Sequence, residues 1–221
     1  MPNVEQSETQ FMSIETWLLY AFAILILTAS PGPSVLLCAS KSVSSGLSSA
    51  RWAALGGVTA ITIILSLSFT GLGVVIASSD FAFTLIKWVG AAYLIYLGVT
   101  ALLSKETTYE LSSQPDKKEG RVGHYFSGFL VGSSNPKAIV FFTALFPQFI
   151  DPTTSLFVQY LIFTSTFIAF ELGWLLIYAH LAHRSTGWLL KKGRVQIFNR
   201  ITGITFICAG ALLSTSKRAL N

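Results

Sequence analysis

The sequence predicts an all-α, polytopic membrane protein with six transmembrane helices arranged as two inverted three-helix repeats. Three observations carry that expectation. The 221 residues are 52% hydrophobic and only 11% charged, with a mean hydropathy of +0.62; a soluble domain carries about 25% charged residues to build its wet surface. Apolar runs of about 20 residues recur along the chain, long enough to cross a bilayer as helices. Proline interrupts two of these runs, one in each half of the chain. The short alternating segments of a membrane β-barrel are missing.

The six predicted spans cover residues 17–40, 52–77, 83–103, 125–149, 156–180 and 201–215. They form one transporter-like domain, residues 1–221, with repeat 1 at about 17–103, a polar linker at about 104–124 and repeat 2 at about 125–216. The amino terminus carries Glu5, Glu8 and Glu15 and no basic residue before the first apolar run. It lacks the basic start of a secretory signal, so the first run is expected to be a retained helix. Trp17, Trp52, Trp88, Tyr125 and Trp188 fall near span ends, where amphipathic rings anchor at headgroup depth.

Basic residues in the loops set the expected orientation. Lys41 and Arg51 flank the first connection, Lys105, Lys117, Lys118 and Arg121 fill the central one, and Arg184, Lys191, Lys192, Arg194 and Arg200 precede the last span. The alternate connections hold Asp80 and Asp151. Both termini are therefore expected outside and the three basic loops inside; Lys217 and Arg218 are the dissenting charges. The net charge of +5 is scattered over these loops and does not describe a nucleic-acid surface.

Three spans on each side of a linker suggest a repeat. The third span, KWVGAAYLIYLGVTALLS, and the sixth, RITGITFICAGALLS, both open on a basic residue three positions before a glycine: Lys87 with Gly90, Arg200 with Gly203. Each continues through an aromatic, Tyr93 or Phe206, to a later glycine, Gly98 or Gly210, and then ALLS. The first and fourth spans share a proline break, TASPGPSVLL and SSNPKAIVFF. An odd number of spans per half turns the second repeat upside-down relative to the first.

The breaks mark the candidate site. Proline removes a backbone donor and clashes with the preceding turn, and in hydrocarbon the freed carbonyls need protein partners or a lined cavity. Pro31, Gly32 and Pro33 break the first span and Asn135 and Pro136 the fourth, with Ser30, Ser34, Ser133 and Ser134 beside them. Broken helices at matching positions of two repeats point to a substrate site near the membrane midplane. The expected substrate-binding residues are Pro31, Gly32, Pro33, Ser34, Asn135, Pro136 and Lys137. Structural kinks are the alternative. Lys137 and Glu171 lie at similar depth, about a dozen and about ten residues from the inner ends of their spans. A charge at that depth costs at least about 2.5–3.5 kcal/mol, so Lys137 is expected to face Glu171 or a substrate carboxylate, with Glu171 as a carrier of a coupling proton. Gly128-x-x-x-Gly132 reads as a close helix contact.

Cys38 and Cys208 stand alone in apolar runs, a spacing that makes neither a disulfide framework nor a metal knuckle. His180 and His183 read as interfacial residues without a third ligand. No metal, cofactor or soluble-enzyme chemistry is expected.

Pro31-Gly32-Pro33, the run K-x-x-G-A-x-Y-L-x-Y-L-G from Lys87 to Gly98, G-F-L-x(4)-N-P-K from Gly128 to Lys137, the following F-F-x(4)-P-Q-F, and R-I-x-G from Arg200 to Gly203 together resemble the LysE/RhtB family of amino-acid exporters. The resemblance covers nearly the whole chain. It implies a bacterial inner-membrane exporter of homoserine, threonine or other neutral amino acids, with the proton as coupling ion. Many members of that family carry an acid partway along the second span; residues 55–63, LGGVTAITI, have none. Two further readings stay open: a membrane thiol electron-transfer protein of related architecture, and a non-transporting scaffold. A homo-oligomer is compatible with all three.

Overall fold

The computed structural model describes residues 12–78, 80–103, 119–151 and 153–184, together with positions 200, 203–204, 207–208, 210–211 and 214. Helix α1 spans Ile14–Ala29. The Ser13 hydroxyl accepts from the Thr16 amide at 3.1 Å, and Glu15 sits in the first turn at the positive end of the helix dipole. The helix stops where Pro31 withholds its donor. Helix α2, Pro33–Ser45, starts with proline in the first turn, where a missing N–H leaves no bond unmade. It ends at Gly46, whose φ of 86° suits a residue without Cβ.

Helices α3 (Leu47–Ser78) and α4 (Asp80–Leu103) complete the first half. In the second, α5 (Arg121–Ser133) is followed by α6 (Pro136–Val140), a wide π-type turn over Phe141–Leu145 and a tight 3-10 turn over Phe146–Phe149. Helix α7 covers Leu156–Arg184, and the described positions from 200 to 214 are helical. The chain is all-α; no strand occurs among the described residues.

Leu47–Gly71 of α3 and the whole of α7 are each long and apolar enough to cross a membrane. The α1–α2 pair, bent by 48°, and α5 with the segment Pro136–Phe149, bent by 49°, each qualify as one broken span. The breaks thus fall where the prolines predict them. Boundaries shift outward: α3 begins at Leu47, before the expected 52, because the helix continues through the polar turn that hydropathy rejects. Arg121–His124, expected in the linker, already belong to α5. Residues 104–118 of that linker, Trp188, and most of the sixth span lie outside the described residues.

Two apolar clusters sit above and below the first break. One gathers Tyr20, Ile24 and Leu27 of α1, Ile61, Leu65 and Phe69 of α3, and Phe163 and Phe167 of α7 around Phe141, Phe142 and Phe146. The π-type turn explains the last three: its Phe146 N–H reaches back five residues to the Phe141 carbonyl, which puts positions 141, 142 and 146 on one buried face. The second cluster joins Val35 and Cys38 of α2 to Ala50, Ala53, Ala54 and Val58 of α3 and Leu175, Tyr178 and Ala179 of α7. Ile168 touches both. Along α1–α2 and along α7, the buried polar residues Ser30, Ser34 and Glu171 fall between these clusters. Outward-facing Leu18, Phe22, Leu67, Leu130 and Phe157 are exposed, as a lipid-facing surface requires.

Helices α3 and α5 meet backbone to backbone. A Cβ on Gly128 would overlap the Ala53 carbonyl, one on Gly56 would overlap the Tyr125 carbonyl, and one on Gly132 would lie 2.7 Å from the Gly57 oxygen. This is the small-residue contact expected of Gly128-x-x-x-Gly132. Helix α4 and the last segment cross in the same manner, with a Cβ on Gly98 placed 2.6 Å from the Gly203 oxygen.

Candidate functional site

In an uninterrupted helix the N–H of residue 31 would serve the carbonyl of Leu27, and the N–H of residue 33 that of Ala29. Proline at both positions leaves these two oxygens without helical donors. Two other helices replace them. Lys137 Nζ donates to Leu27 O at 2.6 Å, and Tyr178 of α7 donates its hydroxyl to Ala29 O at 2.7 Å. Lys137 Nζ also donates to Ser30 O at 2.9 Å and to Ser30 Oγ at 3.0 Å. An ammonium has three protons, and all three find an oxygen. The positive charge sits on the carbonyl end of α1, where the helix dipole is negative.

The second break is closed differently. Pro136 has no N–H for the Gly132 carbonyl, and the Asn135 N–H closes a tighter turn onto it at 3.2 Å. Asn135 then caps α6: its Oδ1 accepts from the Lys137 amide at 3.2 Å. Its Nδ2 donates to Ser34 Oγ at 3.5 Å, a long contact that joins the two breaks a second time. Both Asn135 and Ser34 are buried. The end of the Lys137 side chain passes over Gly32, where a Cβ would lie 3.6 Å from Cε.

Of the residues expected at the site, Ser34, Asn135 and Lys137 meet directly, with the backbone at Pro31, Gly32, Pro33 and Pro136 shaping the junction. Glu171 is buried on α7 with 7% of its surface exposed. No ion pair joins it to Lys137 among the described residues, because the ammonium is already saturated by oxygens of α1. The carboxylate makes no hydrogen bond among those residues either, yet it stays within electrostatic reach of both Lys137 and Cys38. Ser30 as a ligand and Tyr178 as a donor were not foreseen. Proline spacing names the orphaned carbonyls, but nothing in the sequence says which side chain reaches them. A seven-residue separation places Tyr178 on the same face of α7 as Glu171, the one signal available.

A second polar group ties α2 to the start of α5 and to the end of α7. Lys41 Nζ of α2 pairs with Glu119 Oε2 at 3.1 Å, and His124 Nδ1 of α5 lies 3.4 Å from the same oxygen. Ser42 Oγ donates to Ala179 O at 2.7 Å, and His183 Nδ1 lies 3.3 Å from Ser42 O. His180 instead contacts the carbonyl of Leu176 on its own helix. Cys38 is buried in the apolar cluster, Cys208 is exposed, and both thiols are free. A groove of about 380 Å³ along α3, lined by Val58, Thr59, Thr62, Ser66, Thr70 and Ile168 among others, includes no residue of either break. Thr59, Ser66 and Thr70 donate back to carbonyls one turn earlier on α3, which makes that groove compatible with lipid.

Comparison with known proteins agrees with this architecture. The chain is 33% identical over 208 residues to a homoserine/homoserine lactone efflux protein of Salmonella typhi, covering 94% of this chain and 100% of the relative. An uncharacterized membrane protein of Vibrio cholerae is 32% identical over 216 residues, covering 93% of this chain and all of that protein. The Bacillus subtilis membrane protein YrhP is 29% identical over 187 residues, 81% of this chain and 89% of its own. No solved structure matches. The family model of LysE type translocators matches residues 25–217, both proline breaks and the Lys137 junction included, and the chain belongs to that family.

Proposed function

We propose that this translocator exports small neutral amino acids and close derivatives, with homoserine and homoserine lactone first among them, from the bacterial cytoplasm across the inner membrane. The cargo named for the Salmonella relatives supports the choice, at 33% identity over 94% of the chain. One observation carries the mechanism: Lys137, on the second broken helix, closes the carbonyl end of the first. Broken helices that meet near the midplane are where secondary transporters bind substrate. Transport by alternating access requires no covalent step, so the protein acts as a carrier and not as an enzyme.

The proton gradient is the proposed driving force and Glu171 the carrier of the proton. A buried carboxylate with neither hydrogen bond nor ion pair among the described residues is costly as an anion. Three features support two inverted repeats. Gly98 lies against Gly203 and Gly210 against Ala91, the neighbour of Gly90, so the two contacts come within one residue of being reciprocal under the Gly90–Gly203 and Gly98–Gly210 correspondence. The α3–α5 packing is matched by α7 against α1 and α2. The two bends are nearly equal. In this reading the basic connections face the cytoplasm, the Lys41–Glu119 tie lies on that side, and both termini are periplasmic.

Counterflow in proteoliposomes tests the reading. Vesicles preloaded with homoserine should accumulate labelled homoserine, and an imposed pH gradient should speed it. Absence of homoserine, homoserine lactone and threonine counterflow would exclude the amino-acid reading. Glu171→Gln is expected to retain homoserine counterflow and lose the response to the gradient; an unaltered response would remove Glu171 from the coupling role.

A further inference from the structure

The oxygens that hold Lys137 form a binding site in their own right. Leu27 O, Ser30 O and Ser30 Oγ surround one nitrogen at 2.6, 2.9 and 3.0 Å. Two are carbonyls at the negative end of a helix, and none carries a formal charge. Such a cup selects a primary ammonium: a group with three N–H donors directed to three acceptors. Lys137 is tethered through its side chain to a different broken helix, so it occupies the cup only while α1 and α6 stay together. Nothing covalent fixes it there.

We infer that this cup is the subsite for the α-ammonium of the exported amino acid, and that Lys137 occupies it as an internal stand-in until substrate displaces it. The inference rests on the amino-acid reading above and goes beyond it. Homoserine carries an ammonium and a carboxylate; its lactone keeps the ammonium and ties the carboxyl into a neutral ring. A carrier of both recognises what they share, which is the ammonium. A displaced Lys137 also requires a counter-charge, and Glu171 stands within electrostatic reach with no partner of its own among the described residues. Substrate entry would thereby transfer Lys137 from α1 to α7 and leave the long Asn135–Ser34 contact as the remaining bond between the two breaks among the described residues. Loosening that junction is the event alternating access needs.

Two experiments decide it. In the first, unlabelled compounds compete against labelled homoserine in counterflow. Homoserine and its lactone should both compete, while 2,4-dihydroxybutyrate, which replaces the ammonium by a hydroxyl, should compete at least about tenfold less well, the worth of a charged hydrogen-bonding group. Equal competition by 2,4-dihydroxybutyrate overturns the subsite. The second needs no transport. Lys137→Ala and Lys137→Met leave the cup empty, and methylammonium or ethylammonium should raise the Tm of either variant saturably, with no such rise for tetramethylammonium or potassium and none in the parent protein. Identical responses to methylammonium and tetramethylammonium would overturn it. A selective rise in Tm without any homoserine transport would retain the ammonium site and reject the cargo.

Discussion

Lys137 Nζ stands 2.6 Å from the carbonyl oxygen of Leu27 because Pro31 has no N–H to give that oxygen. A break in one helix and a lysine in another are thus two halves of one bond. Removing the lysine alone leaves that carbonyl without its donor. Lys137→Met should lower stability by about 2–5 kcal/mol, from lost charge-assisted bonds and an orphaned acceptor. Thermal unfolding in detergent reads it. Lys137→Arg should recover only part of the loss, since a planar fork does not reproduce three converging protons.

If that pairing is causal, the helix can be repaired from the other side. Pro31→Ala restores an N–H at position 31, and in the Lys137→Met background this donor can take Leu27 O within its own helix. The double variant should be more stable than Lys137→Met by about 1–3 kcal/mol, a coupling of the size measured between residues in contact. A four-variant thermal cycle measures it. Strict additivity would separate the lysine from the break. Transport should be lost in the double variant, because Leu27 O is then held within α1 and no longer offered to the junction.

The fold was largely legible in advance because its signals are one-dimensional. Hydropathy reports what the bilayer demands of each span, and proline reports where a span breaks. The site was legible only by half. Pro31 and Pro33 identify Leu27 O and Ala29 O as orphans by counting back four residues, whereas Lys137 and Tyr178 reach them through tertiary packing that no local pattern encodes. Lys137 and Glu171 share a depth, which suggested a pair. Depth alone could not show that the carbonyl end of α1 outcompetes a carboxylate for the ammonium. The π-type turn at Phe141–Leu145 was likewise hidden in an ordinary apolar run.

Tyr178 offers a milder perturbation of the same break. Tyr178→Phe keeps the ring among Leu175, Ala179 and Trp174 and deletes only the hydroxyl that serves Ala29 O. The expected cost is about 1–2 kcal/mol, read as a lowered Tm. Pro33→Ala should relieve part of it by returning a donor to Ala29 O. A Tyr178→Phe protein as stable as the parent would show that the Ala29 oxygen has another source of donors.

The α3–α5 crossing makes a prediction that depends on geometry alone. At Gly128 an added Cβ would overlap the Ala53 carbonyl, and backbone there cannot swing aside as a side chain would. Gly128→Ala should push the two helices apart, with a stability loss of about 1–3 kcal/mol typical of overpacking. Because α5 leads directly into Asn135 and Lys137, the displacement should also weaken the contacts at the first break and reduce transport. Gly71 and Gly173 are the controls: a Cβ added at either would meet no atom within 4 Å, so Gly71→Ala and Gly173→Ala should behave like the parent or gain slightly from helix propensity. Expression level and Tm in detergent, with homoserine counterflow beside them, compare the three. Equal tolerance at all three positions would mean that α3 and α5 do not meet through Gly128 in the membrane.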